Sequence, residues 1–297
     1  MGNGMWKQEA RDLIEEPSQS NVKLEDQRPQ GSSFSIPRHA WVHRRSEDFD
    51  SYKYYKQQRA DIVKYGPNPI IVLFGRVGLH CYNLQKGTNL QYLSVLNVDV
   101  WMTSIFSYCI TLEAMDPVDN SIYEFKAQVR YAVENIDCLS AITTRCRLKP
   151  KTPEEEDKYY LWNKDLVDDF YKGDMPEWIR EDALTGSDKL QYYEMKDSDL
   201  EEVQEENEWL HLYAELALFK KWRSNKLGAL ETAKPFEMKK IVVETKENVE
   251  SKKKLKAENA IFYISFKTRC GRDCNCIIRK TTDGKPGHFL LKLSVSC

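Results

Sequence analysis

A helical pattern followed by strand-like alternation occurs twice along the chain, first over residues 74–147 and again over residues 208–295. In each helical part, apolar residues recur at steps of three or four and therefore lie on one face of the helix. They are Phe74, Val77, Cys81 and Leu84 in the first copy and Trp209, Leu212, Leu216 and Phe219 in the second. The pattern predicts two helices, each with one buried face.

After each helix, apolar and polar residues alternate with a period of two, which is typical of strands that bury one face. The alternation is clearest over residues 123–133. The strand-like runs are 106–114, 123–133 and 138–148 in the first copy and 236–245, 260–268, 275–280 and 288–295 in the second. We predict an α+β protein of two repeats, each an antiparallel four-stranded sheet wrapped on one helix.

Gly75 and Gly78 interrupt the first predicted helix. A glycine inside a helix costs about 1 kcal/mol relative to alanine. This cost is explained if the bare backbone lies close against the sheet. Gly87 stands where a helix commonly stops, so the first helix is predicted to end there.

Composition divides the chain into four parts. Residues 1–45 are rich in Gln, Ser, Asn, Pro and charge, which predicts a disordered tail. Residues 46–148 form the first domain, led by a helical pattern over 48–65, and residues 199–297 form the second. Between them lies an acidic, aromatic-rich insertion, 149–198, for which we predict partly ordered helices packed on the outside.

The second helical pattern, over residues 199–223, also has coiled-coil spacing. The apolar seam lasts only about two heptads, where three to four are needed for a coiled coil. A helix covered by its own sheet is therefore the better interpretation.

Charge is segregated along the chain, although the formal net charge is only -2. Residues 151–208 are strongly acidic, and residues 209–297 are strongly basic. Attraction between the two segments is the favoured interpretation, and a basic docking face for an acidic partner stays open. The lysine run over 252–256 lacks interleaved aromatic residues for base stacking, which favours a solvated loop over a nucleic-acid site.

The chain has eight cysteines and no apolar run suited to a signal peptide or a membrane span, which predicts thiols in a reducing compartment. Only Cys270, Cys274 and Cys276 are clustered. With His288 or Cys297 they could hold zinc, but structural zinc sites have paired cysteine spacing in both halves. A metal-free polar hairpin turn is therefore favoured.

An enzyme would need a constellation of catalytic groups, and no metal or nucleophile motif surrounds any of the five histidines. His80 adjoins Cys81, but neighbouring residues on a helix point about 100° apart, so adjacency does not make a thiolate–imidazole pair. We predict no enzymatic activity, no catalytic, cofactor-binding or metal-binding residues, and no cofactor.

The helix over residues 74–83 resembles the signature helix of plant cystatins, with Arg76, Tyr82 and Asn83 matching by residue type. The order of helix and then strands is also similar, so the resemblance implies a cystatin-like fold. Cystatins inhibit papain-like proteases with a Gln-x-Val-x-Gly hairpin loop, which should fall here at residues 101–105. None of its three defining residues is present, and the resemblance implies the fold without the inhibition.

A wider resemblance is carried by residues 76–89 and 108–114. They are similar to a plant-restricted, crucifer-expanded family of unknown biochemistry, named for a male-sterility-five gene product. The resemblance runs from about residue 49 to residue 295. It implies a cystatin-like fold, no established activity, no catalytic residues to transfer and, for the naming member, a role in meiosis and pollen development.

We therefore expect a non-catalytic protein that holds protein partners in plant reproductive cells. The expected contact surfaces are the exposed sheet faces, the tryptophan-rich insertion and the helix over 199–223. We expect an intracellular protein without a membrane span, in the nucleus rather than the cytoplasm. Nucleic acid is disfavoured as a partner, and a homo-oligomer stays open. The rival hypothesis is a diverged cystatin-type inhibitor of papain-like cysteine proteases.

Overall fold

The structure is a computed structural model that describes residues 67–102, 106–135, 138–149, 161–185, 191–196, 199, 209–222 and 227–297. The predicted tail over 1–45 and the leading helical pattern over 48–65 lie outside the described residues.

The first helix, α1, spans Pro69–Lys86, as the apolar spacing predicts. At its start, the Asn68 side chain accepts a hydrogen bond from the backbone N–H of Ile70 at 2.9 Å. Proline occupies the first position, where a helix needs no partner for a backbone N–H. Gly87 ends the helix in the left-handed conformation, with φ 66°, which glycine adopts without strain.

Four antiparallel strands follow α1 and form a meander. They are β1 (Gln91–Met102), β2 (Phe106–Met115), β3 (Ile122–Asn135) and β4 (Cys138–Leu148). The alternation of apolar residues predicts β2, β3 and β4 to within two residues. The alternation does not predict where β1 begins and ends, because register shifts at Tyr92/Ser94 and at Val95/Asn97 break the period of two.

The described residues of the second half form five strands and three α-helices. The strands are β5 (Tyr192–Glu194), β6 (Glu237–Glu244), β7 (Ala260–Lys267), β8 (Asp273–Thr281) and β9 (Phe289–Ser296). The helices are α2 (Trp209–Trp222), α3 (Leu227–Ala233) and α4 (Ser251–Leu255). The sequence pattern predicts β6 to β9 to within two residues, and it does not indicate the short strand β5.

All nine strands form one antiparallel sheet in the order β1-β2-β3-β4-β9-β8-β7-β6-β5. The two meanders join where β4 pairs with β9, from Leu139 opposite Leu293 to Thr143 opposite Phe289. The expectation of two separate four-stranded sheets is therefore corrected, while the α+β class is confirmed. The junction pairs backbone N–H and C=O groups that two exposed edge strands would leave open.

Helices α1 and α2 pack on one face of the sheet, the inner face, and share one hydrophobic core. The ring of Phe74 on α1 meets the ring of Phe219 on α2 edge-on, with 5.6 Å between centroids. Phe74 is fully buried, and burial of such a side chain contributes roughly 2 kcal/mol to folding. The contact ties the two helices to each other as well as to the sheet.

The glycines of α1 allow a close approach to the sheet, as predicted. A Cβ added at Gly78 would lie 2.3 Å from the Cβ of Ala127 on β3. A Cβ added at Gly75 would lie 3.1 Å from Cδ2 of Leu112 on β2, the end of a side chain that can shift slightly. The helix therefore approaches the sheet most closely at Gly78, where a side chain would not fit.

The insertion 149–198 is described mainly over residues 161–185. Where partly ordered helices were predicted, it contains three short 3₁₀ turns, Lys164–Leu166, Asp169–Tyr171 and Glu181–Leu184. Side-chain oxygens of Asn163 and Asp168 cap the first two turns. Residues 161–185 pack on the outer face of the sheet, opposite α1 and α2. The end of the insertion instead contributes β5 to the sheet, and Tyr193 and Met195 lie in the inner core.

Candidate functional site

The outer face of the sheet differs between its two halves. Over β6 to β9 it is apolar and is covered by the insertion. The residues buried in this contact are Trp162, Val167 and Tyr171 of the insertion and Val242, Ile261, Tyr263 and Ile277 of the sheet. The Trp178 ring also meets the Tyr263 ring edge-on at 5.9 Å. These aromatic side chains pack on the chain itself, so their buried faces are not available to a partner.

Ion pairs join the acidic middle of the chain to its basic end. Asp168 pairs with Lys246 at 2.6 Å, and Asp199 pairs with Lys252 at 3.1 Å. Arg279 on β8 donates hydrogen bonds at 2.8 and 2.7 Å to backbone oxygens at positions 172 and 173 of the insertion. The predicted attraction between the two segments is confirmed, and it helps to hold the insertion on the outer face.

Helix α2 is also covered. Leu210, Tyr213 and Leu216 are fully buried between the sheet and α1. The described part of the helix therefore does not offer the apolar surface that docking would require, and that expectation is corrected. Its burial agrees with a helix covered by the sheet, and the coiled-coil alternative is not supported.

The outer face of β2, β3 and β4 carries charged side chains instead. Lys126 and Arg130 on β3 point away from the core, and so do Arg145 and Arg147 on β4, because their neighbours in each strand are buried. Lys126 lies opposite Arg147, and Arg145 lies opposite Gln128. Side chains opposite each other in an antiparallel pair have Cβ atoms about 5 Å apart. We call these four cations, Lys126, Arg130, Arg145 and Arg147, the cationic face.

Two further groups, Cys109 and Asp99, lie beside the cations of the cationic face. Cys109 on β2 lies opposite Asp99 on one side and Gln128 on the other. Burial raises the pKa of the Cys109 thiol and Asp99 raises it further, while Arg145, Lys126 and Arg147 lower it to a smaller extent. The thiol is therefore protonated near neutral pH and is a poor nucleophile. The surface is suited to electrostatic binding of anions.

His80 and Cys81 on α1 have separate partners, in agreement with the expectation from helix geometry. Nε2 of His80 lies 3.2 Å from the hydroxyl of Tyr213, and Oγ1 of Thr143 lies 3.3 Å from Sγ of Cys81. Burial, and then the nearby Lys280, hold the pKa of His80 well below its usual value. The imidazole is thus neutral at pH 7 and forms part of the core.

Lys280 on β8 is a buried titratable group that the sequence analysis missed. Its side chain is 0% exposed, and its Nζ lies 5.3 Å from the centroid of the Phe262 ring. Burial lowers the pKa of Lys280 to about 7. A signal was present in the strand alternation, since Lys280 shares a face with the buried Cys274, Cys276 and Ile278.

Known proteins share both the sequence and the architecture of this chain. A UPF0725 protein of Arabidopsis thaliana is 42% identical over 75% of this chain and 74% of its own length. A second UPF0725 protein of the same plant is 39% identical over 77% of this chain and 70% of its own length. The family model Protein MS5 matches residues 175–291. The chain belongs to the plant MS5 family.

A crystal structure of MS5 from Brassica napus shares the fold of this MS5-family chain. The TM-score is 0.59 at 24% sequence identity, and the match covers 77% of this chain and 98% of the other. The family resemblance predicted from residues 76–89 and 108–114 is therefore confirmed. The stretch matched by the family model begins inside the insertion, after Trp162, Val167 and Tyr171, and ends in β9.

The clustered cysteines of this family member do not lie together as a metal site. Cys274 forms a disulfide with Cys297, Cys276 is buried, and Cys270 is exposed. The expectation that every cysteine is a thiol is corrected, and the cysteines no longer argue for a reducing compartment. Within the described residues, no group of three or more His, Cys, Asp and Glu side chains is placed to hold a metal ion. His288, the other proposed ligand, pairs with Asp283 at 2.8 Å.

The lysine run over 252–256 is not the solvated loop that the sequence analysis favours. Residues 251–255 form α4, and Lys254 is only 2% exposed. Its Nζ donates hydrogen bonds to Oγ1 of Thr245 at 2.9 Å and to the backbone oxygen of Glu247 at 3.1 Å. Among the helices of the described ranges, none is long and apolar enough to cross a membrane.

Proposed function

We propose that this MS5-family chain is a non-catalytic protein that binds other proteins in plant reproductive cells. The family resemblance supports a role in male meiosis or pollen development, and we further propose a place in the nucleus. The observation that carries the binding role is the cationic face, because the corresponding face of the other half is covered by the insertion. We further propose that each of α1 and α2, with its four following strands, is a cystatin-like repeat.

The occupant that fits the cationic face is an acidic segment of a partner protein. Three of the four cations are arginines, whose planar guanidinium groups bind carboxylates in a bidentate manner. Asp99 acts on the same Cys109 thiol as Arg145, Lys126 and Arg147, so one carboxylate lies close to these three cations. At the margin, Glu124 pairs with Lys149 at 2.8 Å.

A binding measurement with a defined acidic probe tests this proposal. A fluorescein-labelled peptide of ten glutamates is titrated with the full chain, and fluorescence anisotropy is followed. We expect the double variant Lys126→Glu and Arg147→Glu to bind at least about tenfold more weakly than the wild type, because like charges then face the peptide. We also expect binding to weaken with added salt, since exposed charges are screened.

A matched control separates a local site from net charge. The double variant Lys239→Glu and Lys253→Glu changes the net charge equally on the other half, where both lysines are exposed. Retained peptide affinity in this control supports the cationic face. Equal loss in both double variants would show that only net charge matters and would overturn the proposal. The same two variants then serve in affinity capture from developing anthers to identify the acidic partner.

A second candidate function is the cystatin-type inhibition of papain-like proteases. It is favoured by the position of the β1–β2 connection, because β1 ends at Met102 and β2 begins at Phe106. The expected inhibitory loop, 101–105, lies at this hairpin, and its residues 103–105 are outside the described residues. Titration of papain with the purified chain distinguishes the two functions. Sub-micromolar inhibition would replace the proposal of a non-inhibitory partner-binding protein.

A further inference from the structure

Two of the free cysteines lie together where α1 packs on β4. A Cβ added at Gly78 of α1 would lie 3.7 Å from Sγ of Cys146 on β4. Cys81 lies about one turn further along α1 and therefore on the same face as Gly78. Its Sγ lies 3.3 Å from Oγ1 of Thr143, also on β4. The two thiols contact each other, since the side chain of Cys146 is hydrogen-bonded to that of Cys81.

A β-bulge in β4 places both partners of Cys81 on the inner face of the sheet. Residues 143 and 146 of a regular strand would point to opposite faces, because side chains alternate. Here Thr143 lies opposite Val129 of β3, while Cys146 lies opposite Ala127. Because those two residues of β3 are only two positions apart and both lie in the inner core, β4 contains one extra residue. The bulge therefore turns the Cys146 thiol toward α1.

The pair of thiols is enclosed, but one of them still meets solvent. Cys81 is 0% exposed, whereas Cys146 is 8% exposed. Burial and then Cys81 raise the pKa of the Cys146 thiol well above its usual value, and the hydroxyl of Thr143 acts in the opposite direction. Cys146 is therefore protonated near neutral pH and reacts slowly. A small uncharged oxidant such as hydrogen peroxide fits this restricted access better than a bulky disulfide does.

A buried cation lies within electrostatic range of the pair. Nζ of Lys280 on β8 is buried and has no hydrogen-bond partner among the described residues. Cys81 acts to raise the pKa of Lys280, against the larger effect of burial. The ammonium group and a thiolate on Cys81 therefore attract each other. This attraction stabilises negative charge on a sulfur that burial alone would keep neutral, and the thiolate is the reactive form of cysteine.

We propose that Cys81 and Cys146 are a redox-active pair that forms a disulfide when the chain meets hydrogen peroxide. One sulfur attacks the O–O bond as a thiolate, which gives a sulfenic acid, and the departing hydroxide takes up the thiol proton and leaves as water. The second sulfur then displaces the sulfenic oxygen as water and closes the S–S bond. Two thiols and one peroxide thus become one disulfide and two waters. The cross-link ties α1 to β4 and does not depend on the binding role of the cationic face.

Peptide mapping by mass spectrometry tests the pair. The full chain is treated with hydrogen peroxide, and its remaining thiols are alkylated after unfolding. The expected result is a cross-linked peptide that contains Cys81 and Cys146, with neither residue alkylated. Cys270 is an internal control for the oxidant, because it is exposed and its hydrogen bond with Thr268 lowers the pKa of its thiol. Oxidised Cys270 together with alkylated Cys81 and Cys146 would overturn the proposal.

Variants and thermal unfolding separate this pair from the other buried cysteines. Cys146→Ala should abolish the cross-link and leave Cys81 free for alkylation. Cys138→Ala is the matched control, because Cys138 is also buried on β4, and it should retain the cross-link. Circular dichroism establishes that each variant is folded.

The cross-link should also raise the midpoint of thermal unfolding of the wild type by roughly 10 °C, because it encloses β1, β2 and β3 and restrains the unfolded chain. A reductant should reverse the rise. Cross-linking of Cys81 to another cysteine in Cys146→Ala, or an unchanged midpoint in the cross-linked wild type, would contradict the assignment, whatever the outcome of the glutamate-peptide experiment.

Discussion

The two halves of the sheet have similar strand orders and place their charged side chains differently. The first half, β1 to β4, carries Lys126, Arg130, Arg145 and Arg147 on its outer surface. The second half buries several such groups: Glu215, Glu244, Lys254, Arg279, Lys280 and Asp283. Among the described residues, no Asp, Glu, Lys or Arg of the first half is buried to this extent.

For Glu244, Arg279 and Asp283 the difference follows from what covers the outer face, whereas Lys280 and Glu215 are buried on the inner side of the sheet. The insertion removes the outer face of β6 to β9 from water, so charged groups there need partners within the protein. Arg279 donates hydrogen bonds to backbone oxygens of the insertion, and Tyr263 donates a hydrogen bond to Glu244 at 2.8 Å. Over the first half, the described residues include no corresponding apolar cover. Similar strand patterns can therefore support a covered surface and a charged, partly exposed surface in one sheet.

The largest expected effect concerns Lys280, whose pKa falls from 10.5 to about 7 on burial. Between these values the unfolded chain binds more protons, so the free energy of unfolding rises with pH, by about 5 kcal/mol in total. Nearby Cys81 and Glu258 oppose the shift without reversing it. Lys280→Met should flatten this rise and stabilise the protein at pH 6. Urea unfolding from pH 6 to 10 measures both effects.

The control for Lys280 is Lys126→Met on the exposed surface of the first half. It should retain the rise in stability with pH. A Lys280→Met protein whose unfolding free energy still climbs between pH 7 and 10 would show that the buried amine is not the cause.

The next effect tests the cover over the second half. Trp162 is nearly buried and stacks on His288, with 5.9 Å between ring centroids. Trp162→Ala should lower the free energy of unfolding by about 3 kcal/mol, because truncation of a buried aromatic leaves a cavity. The measurement is urea unfolding followed by circular dichroism. A loss below about 0.5 kcal/mol would mean that the insertion does not stabilise the sheet.

A smaller effect is expected at Asp283, which accepts hydrogen bonds from the backbone N–H of Asn163 at 2.9 Å and of Lys285 at 3.2 Å, beside its pair with His288. Burial acts to raise the pKa of Asp283, but these bonds outweigh it, and the pKa lies below its usual value. The charged form therefore stabilises the fold above about pH 3.8, and this contribution is lost as the pH falls further.

Asp283→Asn should accordingly cost about 2 kcal/mol at pH 7, because an amide accepts fewer of these bonds. The difference from the wild type should shrink below pH 3.8. Unfolding measured at pH 3 and at pH 7 checks the prediction, and a difference that is the same at both values would contradict the role of the carboxylate charge.

The smallest effect is expected on the first half. Lys126→Ala should change the free energy of unfolding by no more than about 0.5 kcal/mol, since the side chain is partly exposed and charged. The same variant should weaken the glutamate peptide. If Lys126→Ala instead destabilises the protein as much as Trp162→Ala, the contrast between the two outer faces is wrong.

Much of the local structure was predictable from the sequence, and several of the sites were not. Asn68, Gly87 and the spacing from Phe74 to Leu84 define α1, because caps and helical periodicity are local properties. The cationic face was partly predictable, since Lys126 and Arg130 alternate with buried residues on β3. Its arginines on β4 were not, because a bulge between Thr143 and Arg145 shifts the register.

By itself, the sequence determined α1, α2 and most of the strands, since periodicity and turn chemistry depend on neighbours in the chain. The tertiary structure alone decided that β4 pairs with β9, that residues 161–185 of the insertion cover the outer face of β6 to β9, and that Lys280 lies in the core. The physical reason is that a strand edge offers the same backbone N–H and C=O groups in every sequence. The edge or face against which a strand packs depends on the packing of the whole chain.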